Sequence, residues 1–88
     1  MAEYLSVPSR LLVHGEGLNF DELALVEPLT IGAHSVRRAA VQQQEFVLVV
    51  GAGTIGLGTM KFSRIAGGKV IGLDINQNRL NFCSNKYL

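Results

Sequence analysis

Cysteine occurs once in this sequence of 88 residues, at position 83, and proline twice, at positions 8 and 28. A lone cysteine cannot close an internal disulfide and suits a reducing compartment. Two prolines against ten glycines, unevenly placed, exclude a collagen-like repeat and a proline-rich linker. An excess of charge of one sign is also missing. Eight Lys and Arg face seven Asp and Glu, a net +1, and no basic stripe is formed. No nucleic-acid or membrane partner is expected from such a surface. The opening residues, Met1-Ala2-Glu3-Tyr4, lack the basic and long apolar regions of a secretion signal. The strongest apolar stretch, Phe46 to Met60, is interrupted by Gly51, Gly53, Gly56 and Gly58. It falls short of the ~20 residues that a membrane helix needs. A soluble, cytoplasmic protein is the expectation.

What is present is apolar. Hydrophobic residues are 48% and charged residues 17%, which excludes a disordered polar chain. At 9.5 kDa, roughly 63% of the unfolded surface can be buried, enough for one modest core. The chain is therefore one small domain or part of a larger one. Ala2–Val7 alternates loosely and stops at Pro8, as a strand would, and Leu11–Val13 is a candidate for a second short one. Asn19 has the character of a helix N-cap, with Glu22 three residues on as in a capping box. Proline disfavours helical geometry in the residue before it, so a break or kink is expected at Glu27. A second helix should follow from about Leu29 to Val41. Phe46–Val50 is a continuous β-branched run, the pattern of a strand buried on both faces of a parallel sheet. Thr54–Ala66 should be a helix ended by Gly67-Gly68, with Gly58 weakening it by about 1 kcal/mol relative to alanine. Val70–Asp74 is the next strand and Gln77–Tyr87 another helix. Strand, helix and strand within about 30 residues make a right-handed βαβ unit.

The turn inside that unit carries chemistry. Gly51-Ala52-Gly53-Thr54-Ile55-Gly56 is a G-x-G-x-x-G that follows a buried strand and opens a helix, with an acidic residue, Asp74, ending the next strand. Gly51 permits the tight turn, Gly53 lets a pyrophosphate approach the backbone, and Gly56 lets helix and strand pack closely. Phosphates would then lie against the free amides at the helix start, around Thr54. The Asp74 carboxylate can accept from both hydroxyls of an adenosine ribose, and its charge opposes a 2′-phosphate, favouring NAD over NADP. Arg79 is read as a partner for ribose or phosphate oxygens. The bland alternatives are a tight turn in a nucleotide-free α/β protein and, for Arg79, a solvated helix face.

With Glu27-Pro28, the preceding Ala24-Leu25-Val26, the run Gly32-Ala33-His34-Ser35-Val36-Arg37-Arg38-Ala39 and the strand Val70-Ile71-Gly72-Leu73-Asp74 added to that turn, the sequence resembles the zinc-dependent medium-chain alcohol dehydrogenases. The likeness spans nearly the whole chain and is greatest to the polyol, threonine and sugar-acid dehydrogenase branch. It implies an internal fragment of an oxidoreductase that passes a hydride from a secondary alcohol to NAD, with a zinc ion polarising the hydroxyl. The fold implied is α/β, a partial Rossmann fold comprising the first βαβ unit of a doubly wound parallel sheet. Residues 1–40 would be the end of the catalytic domain and its connecting helices. Residues 41–88 would be the first part of the NAD-binding domain. The resemblance places Glu27 at the catalytic zinc, as a ligand or through its water, and Ile31 and Ile55 near the nicotinamide. It matches Asp74 and Arg79 to the adenosine ribose and Ile75 to adenine packing. The substrate implied is a small-molecule alcohol, and the full-length protein would be a homo-oligomer.

The sequence departs from the family where the metal is concerned. The zinc-ligand cysteine, the Gly-His-Glu motif and the four structural-zinc cysteines belong upstream of Glu3, and the later strands of the nucleotide domain belong beyond Leu88. One carboxylate cannot make a metal site. His34, seven residues after Glu27, could be a second ligand or a base, but a packed helix histidine is the better reading. His14 reads as loop surface, Cys83 as a small buried or half-buried helix residue and Arg37 and Arg38 as a solvated face. Rival functions are a non-catalytic nucleotide-binding or interaction module and a zinc-free reductase of the same superfamily, with a flavin or S-adenosylmethionine protein more remote. The isolated chain is expected to be inactive and to have unpaired sheet edges that invite pairing with another chain.

Overall fold

A computed structural model describes residues 2–86. A 3-10 turn at Ser9–Leu11 is followed by helix α1 (Phe20–Arg38), strand β1 (Phe46–Val50), helix α2 (Thr54–Ile65), strand β2 (Lys69–Leu73) and helix α3 (Gln77–Lys86). The two strands are parallel, with Val47 beside Val70 and Val49 beside Gly72. The architecture is α/β, a partial Rossmann-like unit. Among the described residues, no helix is long and apolar enough to cross a membrane.

The start of α1 follows from its residues. The Asn19 amide donates to Glu22 Oε2 at 2.8 Å, and the Glu22 amide donates to Asn19 Oδ1 at 2.9 Å. This reciprocal pair satisfies two amides that a helix start otherwise leaves free. The break expected at Glu27 is absent, and Pro28 lies inside one continuous helix. An interior proline costs about 3 kcal/mol through a lost hydrogen bond and a ring clash. Packing opposes that cost here, since the following turns bury Gly32 and Val36 against α2.

Glycine decides how closely α1 and α2 cross. A Cβ on Gly32 would lie 2.8 Å from the Thr59 nitrogen, and one on Gly58 would lie 3.1 Å from Leu29 Cδ2. Gly58, which looks like a weak point for its own helix, is the position that admits Leu29.

Both long helices end in the same way. After α2, the amides of Gly67 and Gly68 donate to the Arg64 and Ser63 carbonyls, with Gly67 at φ 90°. After α1, the amides of Ala40 and Val41 donate to the Arg37 and Val36 carbonyls, with Ala40 at φ 51°. These are two Schellman endings, one with glycine in the left-handed position and one with alanine. The second stops α1 at Arg38 rather than at the expected Val41.

Two expected strands do not form. Residues 2–7 and 11–13 are exposed and pair with nothing among the described residues. Their alternation supplies one apolar face, but a strand needs a ladder partner, and none lies beside them. Tyr87, at the end of the expected last helix, falls outside the described residues. Strand β1 also differs from expectation. Val49 is buried in the core with Ala52, Met60 and Cys83, flanked by Val47, Leu57 and Val70. Phe46, Leu48 and Val50 are 74%, 60% and 73% exposed. The strand is thus covered on one face only, because α2 and α3 both pack on the side to which Val47, Val49 and Val70 point.

Two substitutions test these contacts. Helix propensity alone would make Gly32→Ala stabilising by about 1 kcal/mol. The backbone of Thr59 in its path makes a net loss of about 1–3 kcal/mol the expected result in urea unfolding. Ala40→Gly should instead raise stability by about 1 kcal/mol in the same assay, by removing the left-handed strain.

Candidate functional site

The turn between β1 and α2 is built around Gly51 and Gly56. Gly51 has φ 99°, and its amide donates to the Leu73 carbonyl at 2.7 Å, extending the ladder one residue past the strand. A Cβ on Gly56 would run into the Gly51 carbonyl oxygen. The chain can therefore leave β1 and enter α2 in so short a space only without a side chain at 56. Gly53 is the N-cap of α2, has no side chain to offer the helix amides, and faces open space.

The two long helix starts contrast electrostatically. The first turn of α1 carries Asp21 and Glu22 and is closed by its capping box. The first turn of α2 carries no acidic residue and takes no side-chain cap. The amides of Thr54, Ile55 and Gly56 and the positive end of the dipole are left for an anion from elsewhere.

Asp74 lies at the end of β2, facing this turn. Its Oδ2 accepts from the Ala52 amide at 2.7 Å and its Oδ1 from the Asn76 amide at 2.7 Å. Arg79 Nη1 stands 3.8 Å from Oδ2. The Ala52 amide first, then the Asn76 amide, with Arg79 and the Ile75 amide adding less, hold the carboxyl below its ordinary value of 3.8 against the opposing pull of burial. The carboxylate side chain is only 6% exposed, yet each oxygen keeps a second lone pair. Asn76 in turn accepts from the amides of Asn78 and Arg79, at 3.0 and 3.2 Å, and so starts α3 and carries Arg79 toward Asp74. Sequence reasoning missed Asn76, although an Asn just before a helix is the ordinary signal of an N-cap.

Val50, Gly51, Leu73, Asp74, Ile75 and Arg79 line a cleft of about 380 Å³. Its walls are apolar at Val50, Leu73 and the fully exposed Ile75, and polar at Asp74 and Arg79. A flat apolar group and a diol would find complementary surfaces there, and an attached phosphate would reach the start of α2. The residues present thus fit a dinucleotide at its adenosine and phosphate end.

The structure brings Gly51, Gly53, Thr54, Ile55, Gly56, Asp74, Ile75 and Arg79 around one turn. It leaves Glu27 and Ile31 exposed on α1, lining neither the turn nor the cleft. No group of three His, Cys, Asp or Glu that could hold a metal occurs among the described residues, so these residues do not by themselves fit a zinc site. His34, expected to be packed, is exposed instead, with Arg37 Nη2 3.3 Å from its Nδ1. Gly32 and Val36 take the inner face of α1, and residue 34 falls outside it. Cys83 is buried, as read.

No protein-family model matches the chain. Individual proteins do. The chain is 45% identical over 78 residues to L-galactonate-5-dehydrogenase of Escherichia coli, a match covering 89% of this chain and 23% of that protein. It is 42% identical over 66 residues to sorbitol dehydrogenase of Arabidopsis thaliana, covering 74% and 18%. It is 37% identical over 87 residues to probable D-xylulose reductase A of Aspergillus terreus, covering 97% and 25%. An α/β unit with a glycine turn and a carboxylate at the next strand end defines the class as Rossmann-like. Over the matched stretch the chain is similar to polyol and sugar-acid dehydrogenases. It spans about a quarter or less of the length of these relatives.

The Asp74 contacts predict an acid dependence of stability. A carboxyl whose folded value is depressed stabilises the fold fully above its unfolded value, near 3.8, and the contribution disappears as pH falls through the lower folded value. Urea midpoints of Asp74→Asn should lie below wild type at neutral pH, and the difference should shrink as the pH drops under 3.8. A gap that persists unchanged into strong acid would contradict this account.

Proposed function

We propose that this chain is the connecting helix and first βαβ unit of a polyol or sugar-acid dehydrogenase that uses NAD. The observation that carries the proposal is the uncapped start of α2 facing the Asp74 carboxylate across one turn. Residues 1–40 would then belong to the end of the catalytic domain and residues 41–88 to the nucleotide domain. The full-length enzyme would act on a secondary alcohol of a polyol or sugar acid, in keeping with the names of the matched relatives, and would be a zinc-dependent homo-oligomer.

The chain's own residues have definable tasks. The amides of Thr54, Ile55 and Gly56 bind and orient the pyrophosphate. Asp74 accepts from the ribose hydroxyls and, through its charge, disfavours a phosphate on the 2′ position. Arg79 balances that carboxylate and offers donors to ribose or phosphate oxygens. Ile75, Val50 and Leu73 exclude water from one face of the adenine. NAD supplies hydride acceptance at its nicotinamide. Glu27 would stand beside the metal in the full-length enzyme, where the other ligands come from elsewhere in the protein. No catalytic step is assigned to the 88 residues alone, and the isolated chain is expected to be inactive.

Calorimetric titration tests this assignment. Only the adenosine and phosphate half of a pocket is present, so NAD and ADP-ribose should bind with equal, weak affinity, independent of zinc. Asp74→Asn should weaken both about tenfold, the size of a lost hydrogen bond to a charged group. NAD binding ten times tighter than ADP-ribose would show a complete dinucleotide pocket and favour a stand-alone binding module. Alcohol-dependent formation of NADH by the chain alone would overturn the expected inactivity.

A further inference from the structure

Helices α1 and α3 open with the same residue in the same place, but the two openings are closed differently. In α1 the Asn19 side-chain oxygen takes the amide of Glu22, and the Glu22 carboxylate takes the Asn19 amide. In α3 the backbone carbonyl of Asn76 accepts the first helical bond, from the Leu80 amide at 3.2 Å, so Asn76 is the N-cap. Its Oδ1 accepts from the amides of Asn78 and Arg79. Arg79 stands where Glu22 stands in α1, three residues after the cap. A guanidinium cannot accept the cap amide. Asp74, two residues before the cap, accepts it instead, at 2.7 Å. The opening of α3 is thus closed by the carboxylate of the candidate nucleotide site. The side chain released at the third position, Arg79, lies 3.8 Å from that carboxylate.

Arginine is locally unfavourable at this position. It puts a cation into a first turn that carries no acidic residue, against the positive end of the helix dipole. It also forgoes the bond that Glu or Gln would make to the cap amide. In natural sequences such local exceptions cluster at functional positions. Little else holds Arg79 in place. Its side chain is 58% exposed, and Asp74 is its one charged partner among the described residues. Helix α3 has 10 residues, fewer than the ~12–15 at which a helix stands alone. Its one buried residue, Cys83, lies two turns beyond the cap. The first turn of α3 therefore rests on the Asn76 oxygen, and with it the place of Arg79. Arg79 lines both clefts beside the turn, the one that holds Asp74 and Ile75 and a second of about 420 Å³ that reaches Gly53 and Thr54 at the start of α2. Its guanidinium carries five donors, enough to serve a ribose and a phosphate from one position.

We infer that Asn76 is a positioning residue of the nucleotide site. Its side-chain oxygen caps α3 and so places Arg79. Its amide goes to Asp74 and so orients the carboxylate. A donor and an acceptor for the nucleotide are thereby fixed relative to each other before the nucleotide arrives. Asn76 acts through these two neighbours rather than by touching the ligand. The gain is entropic, because a long side chain already held in place has less freedom to lose on binding. This inference rests on the nucleotide reading proposed above and deepens it.

Titration of the chain with ADP-ribose, followed by its amide resonances and set beside urea unfolding, tests the inference. Asn76→Ala should weaken ADP-ribose about three- to tenfold, the cost of ordering one long side chain on binding. Asn76→Ser keeps an oxygen at the cap and should restore both affinity and urea midpoint. Arg79→Gln permits the kind of box seen in α1, so it should hold or raise the urea midpoint while weakening ADP-ribose to a similar extent. In that Arg79→Gln background, Asn76→Ala should still lower the urea midpoint but weaken binding at most about twofold more. Wild-type affinity in Asn76→Ala would overturn the inference. So would binding losses that add in full in the double variant, the sign of a general loosening of the fold. A wild-type chain that binds no ADP-ribose would overturn the nucleotide reading itself.

Discussion

The carbonyl of Gly51 occupies the space where a side chain on residue 56 would begin. Much of the structure depends on that contact. It allows β1 to turn into α2 within three residues, and so sets the helix directly over the strand. With α2 so placed, Met60 comes down on Val49 and Ala52, and Cys83 of α3 closes the same small core. The same turn aims the first amides of α2 outward past Gly53. It also presents the Ala52 amide to Asp74, which ties the end of β2 to the turn at 2.7 Å. Packing, the outward direction of the helix-start amides and the position of the carboxylate follow from one missing side chain.

A second missing side chain lets α1 join this unit. Gly32 brings the backbone of α1 against Thr59, and Leu29 rests on Gly58. That crossing explains why Pro28 does not end the helix. Local preference at Glu27 favours a break, at a scale of about 3 kcal/mol. Burying Val36 and seating Leu29 require the turns after Pro28 to continue along the line of those before it. Residue by residue the local rule is sound, and tertiary packing overrides it.

What could be read from the sequence divides along that line. The capping box at Asn19, the glycine turn and the end of α2 at Gly67 rest on interactions within a few residues, and each residue type announces its task, while the two strands of the βαβ unit announce themselves by their apolar, β-branched runs. The end of α1 does not announce itself, because alanine rather than glycine takes the left-handed position at residue 40. Asn76 hid for a different reason, since Asp74 two residues earlier carried all the interest. The unformed strands at 2–7 and 11–13, and the half-open β1, fail for one cause. Alternation or a β-branched run shows that a segment can be buried. It cannot show that a neighbour is there to bury it. His34 follows similar logic, since only the direction of the α1–α2 crossing decides which side of α1 faces inward.

The site and the scaffold are therefore complete to different degrees. The glycine turn needs one helix start and one strand end, all within about 30 residues, and these are assembled with their hydrogen bonds in place. A doubly wound sheet needs cover on both faces and a neighbour on every inner edge, and those partners lie far away in sequence or in another chain. Recognition chemistry in this fold is local, whereas sheet stability is not. The glycine turn is thus legible while Phe46, Leu48, Val50, Ile71 and Leu73 are exposed together. The same alternation that gives Val49 to the core gives Leu48 to the surface.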